Sequence, residues 1–188
     1  FLTVFIMNKE IYEVLDFWYD EQTAKKWFKS TPEFDTEIRL RFEFLWQSAA
    51  DNKLKLWEES ADGCLALCIV LDQFPLNMFR GENKSFQTEQ QSIGIARVAI
   101  QKGFDDQIDS DRISFLYMPL MHSEDINDQE LCVSRFEKHG LEDNLRFAKH
   151  HRGIIQEFGR FPHRNSLLGR ESSPDEIAYL SSKRAFKG

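Results

Sequence analysis

Apolar residues recur at three- and four-residue intervals along most of this chain, the spacing that lines one face of a helix. Ile11, Val14, Leu15 and Trp18 form such a stripe and predict a helix over residues 8–19 with Asn8 as N-cap. Thr31-Pro32 supplies a cap followed by proline at the first helical position, and Ile38, Phe42, Leu45 and Trp46 give the next helix its buried stripe as far as about Asn52. Residues 62–74 are nearly all apolar, with β-branched side chains only at Ile69 and Val70. With no strand nearby to pair with, they predict a buried helix that Pro75 stops or kinks.

The remaining elements announce themselves by their ends. Thr88 to Gln91 has capping-box spacing and opens a helix running to Lys102, where Gly103 can take the left-handed conformation. Further helices are predicted over 110–118, ended by Pro119; 124–139, ended by Gly140; and 141–158, ended by Gly159. The last, 173–182, has Ser173 as cap, Pro174 at the first position and Glu176 completing a capping box. Helices joined by short loops, with no convincing strand, predict an all-α fold of antiparallel helix pairs in one compact domain over residues 7–188. Residues 1–6 read as an extension upstream of a natural start at Met7, or as added residues.

Composition narrows the setting. The 188 residues include 17 Phe and 4 Trp, enough for one aromatic core, and no Gly/Ser/Pro-rich stretch divides them. A formal net charge of -7 argues against general nucleic-acid or anionic-membrane binding, since phosphate would repel most of such a surface. Phe1 to Ile6 is apolar but lacks a basic leader and is too short to span a membrane. The 3 cysteines are an odd number, and Cys64 and Cys68 lie inside an apolar run, which suggests buried free thiols and a cytoplasmic location. No resident cofactor or metal is expected.

Against this acidic background, Arg146 to Arg170 carries six Lys or Arg and three His with one acid. The loop after the 141–158 helix presents Arg160, His163, Arg164 and Arg170, which need a counter-charge if held close together. Either internal acids such as Asp72 or Glu124 supply it, or an external carboxylate or phosphate does. His151 shares a helical stripe with Phe147, Ile154 and Phe158 and is expected to point inward. Tyr117 to Asp125 forms a second constellation: Ser123 and Asp125 suit a helix cap, while His122 and Glu124, joined by His151 or His163, would suit acid–base work or a divalent metal. Gly-rich nucleotide loops, a nucleophile elbow and a dinucleotide fingerprint are all missing from the sequence.

Three long motifs occur in order: Leu71-Asp-Gln-Phe-Pro-Leu-Asn-Met-Phe-Arg80, Tyr117-Met-Pro-Leu-Met-His-Ser-Glu-Asp125, and His151 through Asn165 followed by Leu168-Gly-Arg-Glu-Ser172. With Val14-Leu-Asp-Phe-Trp18 and Trp27-Phe28, they make nearly everything after Met7 resemble a bacterial family of uncharacterised proteins. That family is domain of unknown function nine-hundred-twenty-four, in the tetratricopeptide-like superfamily. The resemblance implies a compact all-helical fold of antiparallel helix pairs and brings no activity with it. Its motif positions include Asp72, Gln73, Asn77, Arg80, Arg112, His122, Ser123, Glu124, His151, Arg160, His163, Arg164, Asn165, Gly169 and Arg170; Leu76 departs from the basic residue usual after Phe-Pro. The candidate binding residues are Arg80, Arg112, His122, Glu124, His151, Arg160, His163, Arg164, Asn165 and Arg170. The function expected is a ligand- or peptide-binding module with a basic pocket for a small anionic ligand or peptide end; the alternative is a small hydrolase or metal-assisted enzyme using the His/Glu cluster.

Overall fold

A computed structural model describes the backbone from Leu2 to Gly188 and the side chains from Lys9 onward. Among the described residues all regular structure is helical. In order the helices are α1 (Leu2–Tyr19), α2 (Glu21–Ala24), α3 (Pro32–Ala50), α4 (Ala61–Cys68), α5 (Phe74–Met78), α6 (Glu89–Gln101), α7 (Ser114–His122), α8 (Ile126–Lys138), α9 (Glu142–Phe158) and α10 (Pro174–Leu180). A π-helical turn, Ile69–Gln73, joins α4 to α5. The reading of residues 1–6 as an extension falls outside the residues whose side chains are described. Helix α1 runs through residue 8, so Asn8 does not begin it.

The fold divides into two compact units, residues 1–80 with 84–119, and residues 81–83 with 120–188. In the first, α3 packs on α5 and α4 on both α1 and α6. Its core is aromatic: Phe17, Phe42 and Phe74 meet within 6.2 Å between centroids, and Trp18 stands edge-on to both Phe74 and Phe115. In the second, α8 and α9 form a hairpin around the left-handed Gly140, and Ile154, Ile155, Phe161 and Tyr179 build a separate small core.

Pro75 does not stop its helix. A proline cannot donate to the carbonyl four residues back, here Leu71. The chain accommodates this by widening to the π turn, in which the Phe74 N–H donates to the Ile69 carbonyl. The Thr88 hydroxyl then donates to the Leu71 carbonyl at 2.6 Å and accepts from Trp46 Nε1 at 3.1 Å. Thr88 is the N-cap residue of α6 by position, but its side chain makes no capping hydrogen bond there. Pro119 is likewise inside α7 rather than at its end. The expected helix boundaries at both prolines are therefore corrected: a tertiary partner restores what proline removes at the first, and the helix passes through the second.

Other ends agree with expectation. Thr31 accepts from the Phe34 N–H, Asp125 from the Asn127 N–H, and Ser173 with Glu176 forms a full capping box. Gly103, Gly140 and Gly159 each have φ between 64 and 70°. The dipeptide Phe-Pro occurs twice in different conformations, since Phe74 is helical while Phe161 is extended and Pro162 opens a short 3-10 turn.

Candidate functional site

The loop between α9 and α10 is held by its own charged residues. Arg160, just beyond the left-handed Gly159, turns its guanidinium onto Glu176: Nε donates to Oε1 at 2.6 Å and Nη2 to Oε2 at 2.8 Å. Nη2 also donates to the Glu171 carbonyl. Glu176 further accepts from the Ser173 N–H at 2.7 Å and from Asn165 Nδ2 at 3.3 Å, so the capping box of α10 and the ion pair share one carboxylate. The hydrogen bond from Arg160 is the largest influence on that carboxyl, which is held down at about 2 despite its burial.

Asn165 passes the network on, its Oδ1 accepting from Arg170 Nε at 2.9 Å. Arg170 then grips Glu124 with both terminal nitrogens, at 2.7 and 2.9 Å, and donates to the Phe161 carbonyl at 3.1 Å. Glu124 returns the contact by accepting from the Phe161 N–H at 2.7 Å. Burial pushes the Glu124 carboxyl up, but Arg170 and the Phe161 N–H outweigh it and leave the group below its ordinary value. Arg164 is buried, lies over the Phe161 ring at 4.7 Å and donates to the His122 carbonyl at 2.9 Å.

Five sequence candidates, Glu124, Arg160, Arg164, Asn165 and Arg170, therefore meet around one loop. Of the acids considered as counter-charges, Glu124 serves Arg170. Glu176, which pairs with Arg160, was read only as a cap. The signal for its second role is the Ser173-x-x-Glu176 box itself, which fixes an acid close to the loop.

The histidines gather nearby. His151 is 4% exposed, and its Nδ1 lies 2.9 Å from the Phe147 carbonyl oxygen. A carbonyl can only accept, so Nδ1 carries the proton and Nε2 the lone pair. His151 shares the inner face of α9 with Leu145, Ala148, Ile154 and Ile155; Phe147, placed on that face by the expected stripe, is 53% exposed. His151 and His163 both contact the rings of Phe161 and Phe186. His122 ends α7 close enough to disfavour a charge on either imidazole.

Arg80 and Arg112 belong to the first unit. Arg80 donates to Asp35 through Nε at 2.7 Å and Nη2 at 3.2 Å, and Asp35 also accepts from Ser30 and Asn77. Arg112 lies over the Tyr19 ring at 4.7 Å and accepts the Tyr19 hydroxyl proton at its carbonyl. The three cysteines are buried free thiols, and burial pushes Cys64 up to about 11.

One groove opens beside the loop, about 740 Å³ in volume. Phe158 and Tyr179, with centroids 5.0 Å apart, form its apolar part; Arg160, Arg184, Glu157 and Asp175 supply charge around it. Arg184 is 64% exposed and donates to Glu157 at 2.8 Å.

The model of a family described as bacterial protein of unknown function, DUF924, matches residues 14–184. The chain belongs to that family. A solved structure of a protein of unknown function from Agrobacterium tumefaciens is similar to this DUF924 chain, with 37% identity and a TM-score of 0.87 over 93% of this chain and 98% of that one. No curated protein matches it. The match of residues 14–184 includes the whole charged loop and stops within the segment after α10, at Arg184.

Proposed function

We propose that this protein is a non-catalytic binding module that holds a small anionic ligand or a peptide end in the groove beside Arg160. The supporting observation is the groove itself: a volume of about 740 Å³, an aromatic base and two arginines on one opening. Pockets of roughly 300–1,000 Å³ suit small ligands. Arg160 is fixed by Glu176 through Nε and Nη2, and that pair leaves Nη1 uncommitted. Arg184 lies over the Tyr179 ring at 5.5 Å and pairs with the exposed Glu157 carboxylate, an ion pair worth about 0–1 kcal/mol, so an incoming carboxylate or phosphate can replace Glu157. In this reading Glu124, Arg164, Asn165 and Arg170 build the loop that presents Arg160. Glu157 and Asp175 favour a ligand that carries a hydrogen-bond donor beside its anionic group, as a peptide end does. The tetratricopeptide-like kinship and a cytoplasmic setting belong to the same proposal. Buried free thiols support the setting, and no helix among the described residues is long and apolar enough to cross a membrane.

The alternative is a small hydrolase or metal-assisted enzyme built on His122, Glu124 and His151 or His163. The lone pair on His151 Nε2 favours it. Against it, Glu124 is occupied by Arg170 and the Phe161 N–H. Among the described residues, neither His122, His151 nor His163 joins three potential ligand atoms within 4.8 Å of one another.

Thermal melting with millimolar sulfate, phosphate or a short peptide bearing a free C-terminal carboxylate tests the binding reading. A ligand at a hundred times its dissociation constant is expected to add about 2.7 kcal/mol to stability. Arg184→Ala, an exposed change, is expected to leave the unliganded protein within about 0.5 kcal/mol and to remove the ligand-dependent rise. A flat response to all three ligands, or an undiminished one in Arg184→Ala, would overturn the reading.

A further inference from the structure

We propose that residues 183–188 form a latch over a two-histidine pocket, closed while His151 and His163 are neutral and released when they take up protons. Two phenyl rings enclose both imidazoles. Phe161 contributes from the loop, with centroids 5.6 Å from His151 and 5.7 Å from His163. Phe186 contributes from the segment after α10, at 4.5 and 5.0 Å. Gly188 also lies on His163, where a Cβ would stand 3.3 Å from its Cδ2.

The fastenings of this segment are few. The Phe186 N–H donates to the Tyr179 hydroxyl at 2.9 Å, the Ala185 N–H to the Ser182 carbonyl at 3.3 Å, and Arg184 to Glu157 on the exposed surface. Segments so lightly tied open at low free energy, independently of the helices beneath. Beyond these polar ties, Ala185 and Phe186 pack on the small core of Ile154, Ile155, Phe161 and Tyr179, Arg184 lies over the Tyr179 ring at 5.5 Å, and the Phe186 ring meets His151 and His163 with His150 at its edge, 6.5 Å away.

That contact requires neutral rings. His151 donates Nδ1–H to the Phe147 carbonyl, and His163 Nδ1 is buried without a hydrogen-bond partner. The groups facing His151 are His122, His150 and His163, none able to stabilise a second positive charge. His163 faces Arg164, Arg170 and His122, with Glu124 as the one favourable charge, already engaged by Arg170. Burial foremost, then these neighbours, pushes His151 down to about 3 and His163 to about 4.

Releasing the segment admits water and returns both groups toward their ordinary value of 6.5. The open form then binds more protons than the closed one from about pH 6.5 down to 4 for His163 and down to 3 for His151, so closure is favoured above this window and weakens through it. Each histidine contributes up to about tenfold per pH unit to the open-to-closed ratio, and the two together up to about a hundredfold. Opening also carries Arg184 away from Glu157, but the latch does not depend on what the groove binds.

Histidine ring resonances followed by NMR from pH 3 to 8, together with hydrogen exchange at the Phe186 amide, test this on the full chain. In the wild-type protein His151 and His163 are expected to titrate well below the ordinary 6.5. In Phe186→Ala both are expected to move to within about one unit of 6.5, with helical circular dichroism unchanged. Protection of the Phe186 amide, corrected for intrinsic rates, is expected to fall more than about tenfold between pH 7.5 and 5.5. His163→Gln, which keeps a polar side chain of similar reach without the titration, limits that fall to about tenfold. Imidazoles that remain depressed in Phe186→Ala, or amide protection independent of pH, would overturn the latch.

Discussion

Arg170→Met is expected to destabilise the protein by about 2–4 kcal/mol, and Glu124→Leu added to it to recover part of that loss. Arg170 and Glu124 are 23% and 26% exposed at their side chains, and each carboxylate oxygen receives one guanidinium nitrogen. Removing only the cation leaves Glu124 charged in a partly desolvated place, and strips a donor from Asn165 Oδ1 and from the Phe161 carbonyl. Removing both leaves no unpaired charge, although Asn165 Oδ1 and the Phe161 N–H still lose their partners, so the double variant sits closer to wild type than the sum of the two single changes without regaining it. The loss narrows with acid. The Glu124 carboxyl is lowered in the folded protein, so its contribution is complete above the ordinary 4.5 and disappears as pH falls through the lowered folded value. Urea unfolding of the four proteins at pH 7 and pH 3.5 measures this. A loss below about 1 kcal/mol for Arg170→Met, or strictly additive single changes, would show that the pair does not hold the loop.

How much of this was readable from sequence varies with the range of the interaction involved. Caps such as Thr31 and Ser173, and glycine stops such as Gly103, Gly140 and Gly159, involve residues within four positions of each other. They were placed from spacing alone. At Pro75 the sequence leaves a stop or a kink open, and the choice is settled elsewhere: the chain passes through in a π turn, and a hydroxyl from Thr88, thirteen residues later, satisfies the Leu71 carbonyl that proline leaves. The charged loop shows both sides. A cluster of arginines signals that counter-charges must exist, and Glu124 could be named among them. Which acid meets which arginine depends on how α10 returns over the loop, and no local pattern states that Glu176 meets Arg160. Likewise the inward direction of His151 follows from helical spacing, whereas Phe186 above it follows from the path of the chain after Leu180.

Gly63→Ala is expected to be among the most damaging single changes in the chain, although nothing in the sequence around it announces this. Gly63 lies in the first turn of α4, where its N–H donates to the N-cap Ser60 hydroxyl at 3.1 Å. The preceding 3-10 turn, Lys55–Glu59, buries Trp57 to 1% exposure and folds its backbone over that first turn. A Cβ on Gly63 would stand 2.0 Å from the Trp57 carbonyl oxygen and 2.8 Å from both its carbonyl carbon and the Ser60 hydroxyl. The obstacle is mostly backbone, so no rotamer change relieves it. Either Trp57 leaves the core or α4 shifts within a unit packed around it. The expected loss is about 3 kcal/mol or more, at or beyond the upper end of ordinary overpacking. Gly94 in α6 and Gly153 in α9 provide the controls, because a Cβ at either meets nothing within 4 Å. Alanine there removes only the extra freedom of the unfolded chain and is expected to stabilise by about 0.4–1 kcal/mol. Chemical unfolding of the three variants under one set of conditions decides the matter: a Gly63→Ala protein as stable as Gly94→Ala would mean that the Trp57 turn is not seated on α4 as the structure has it.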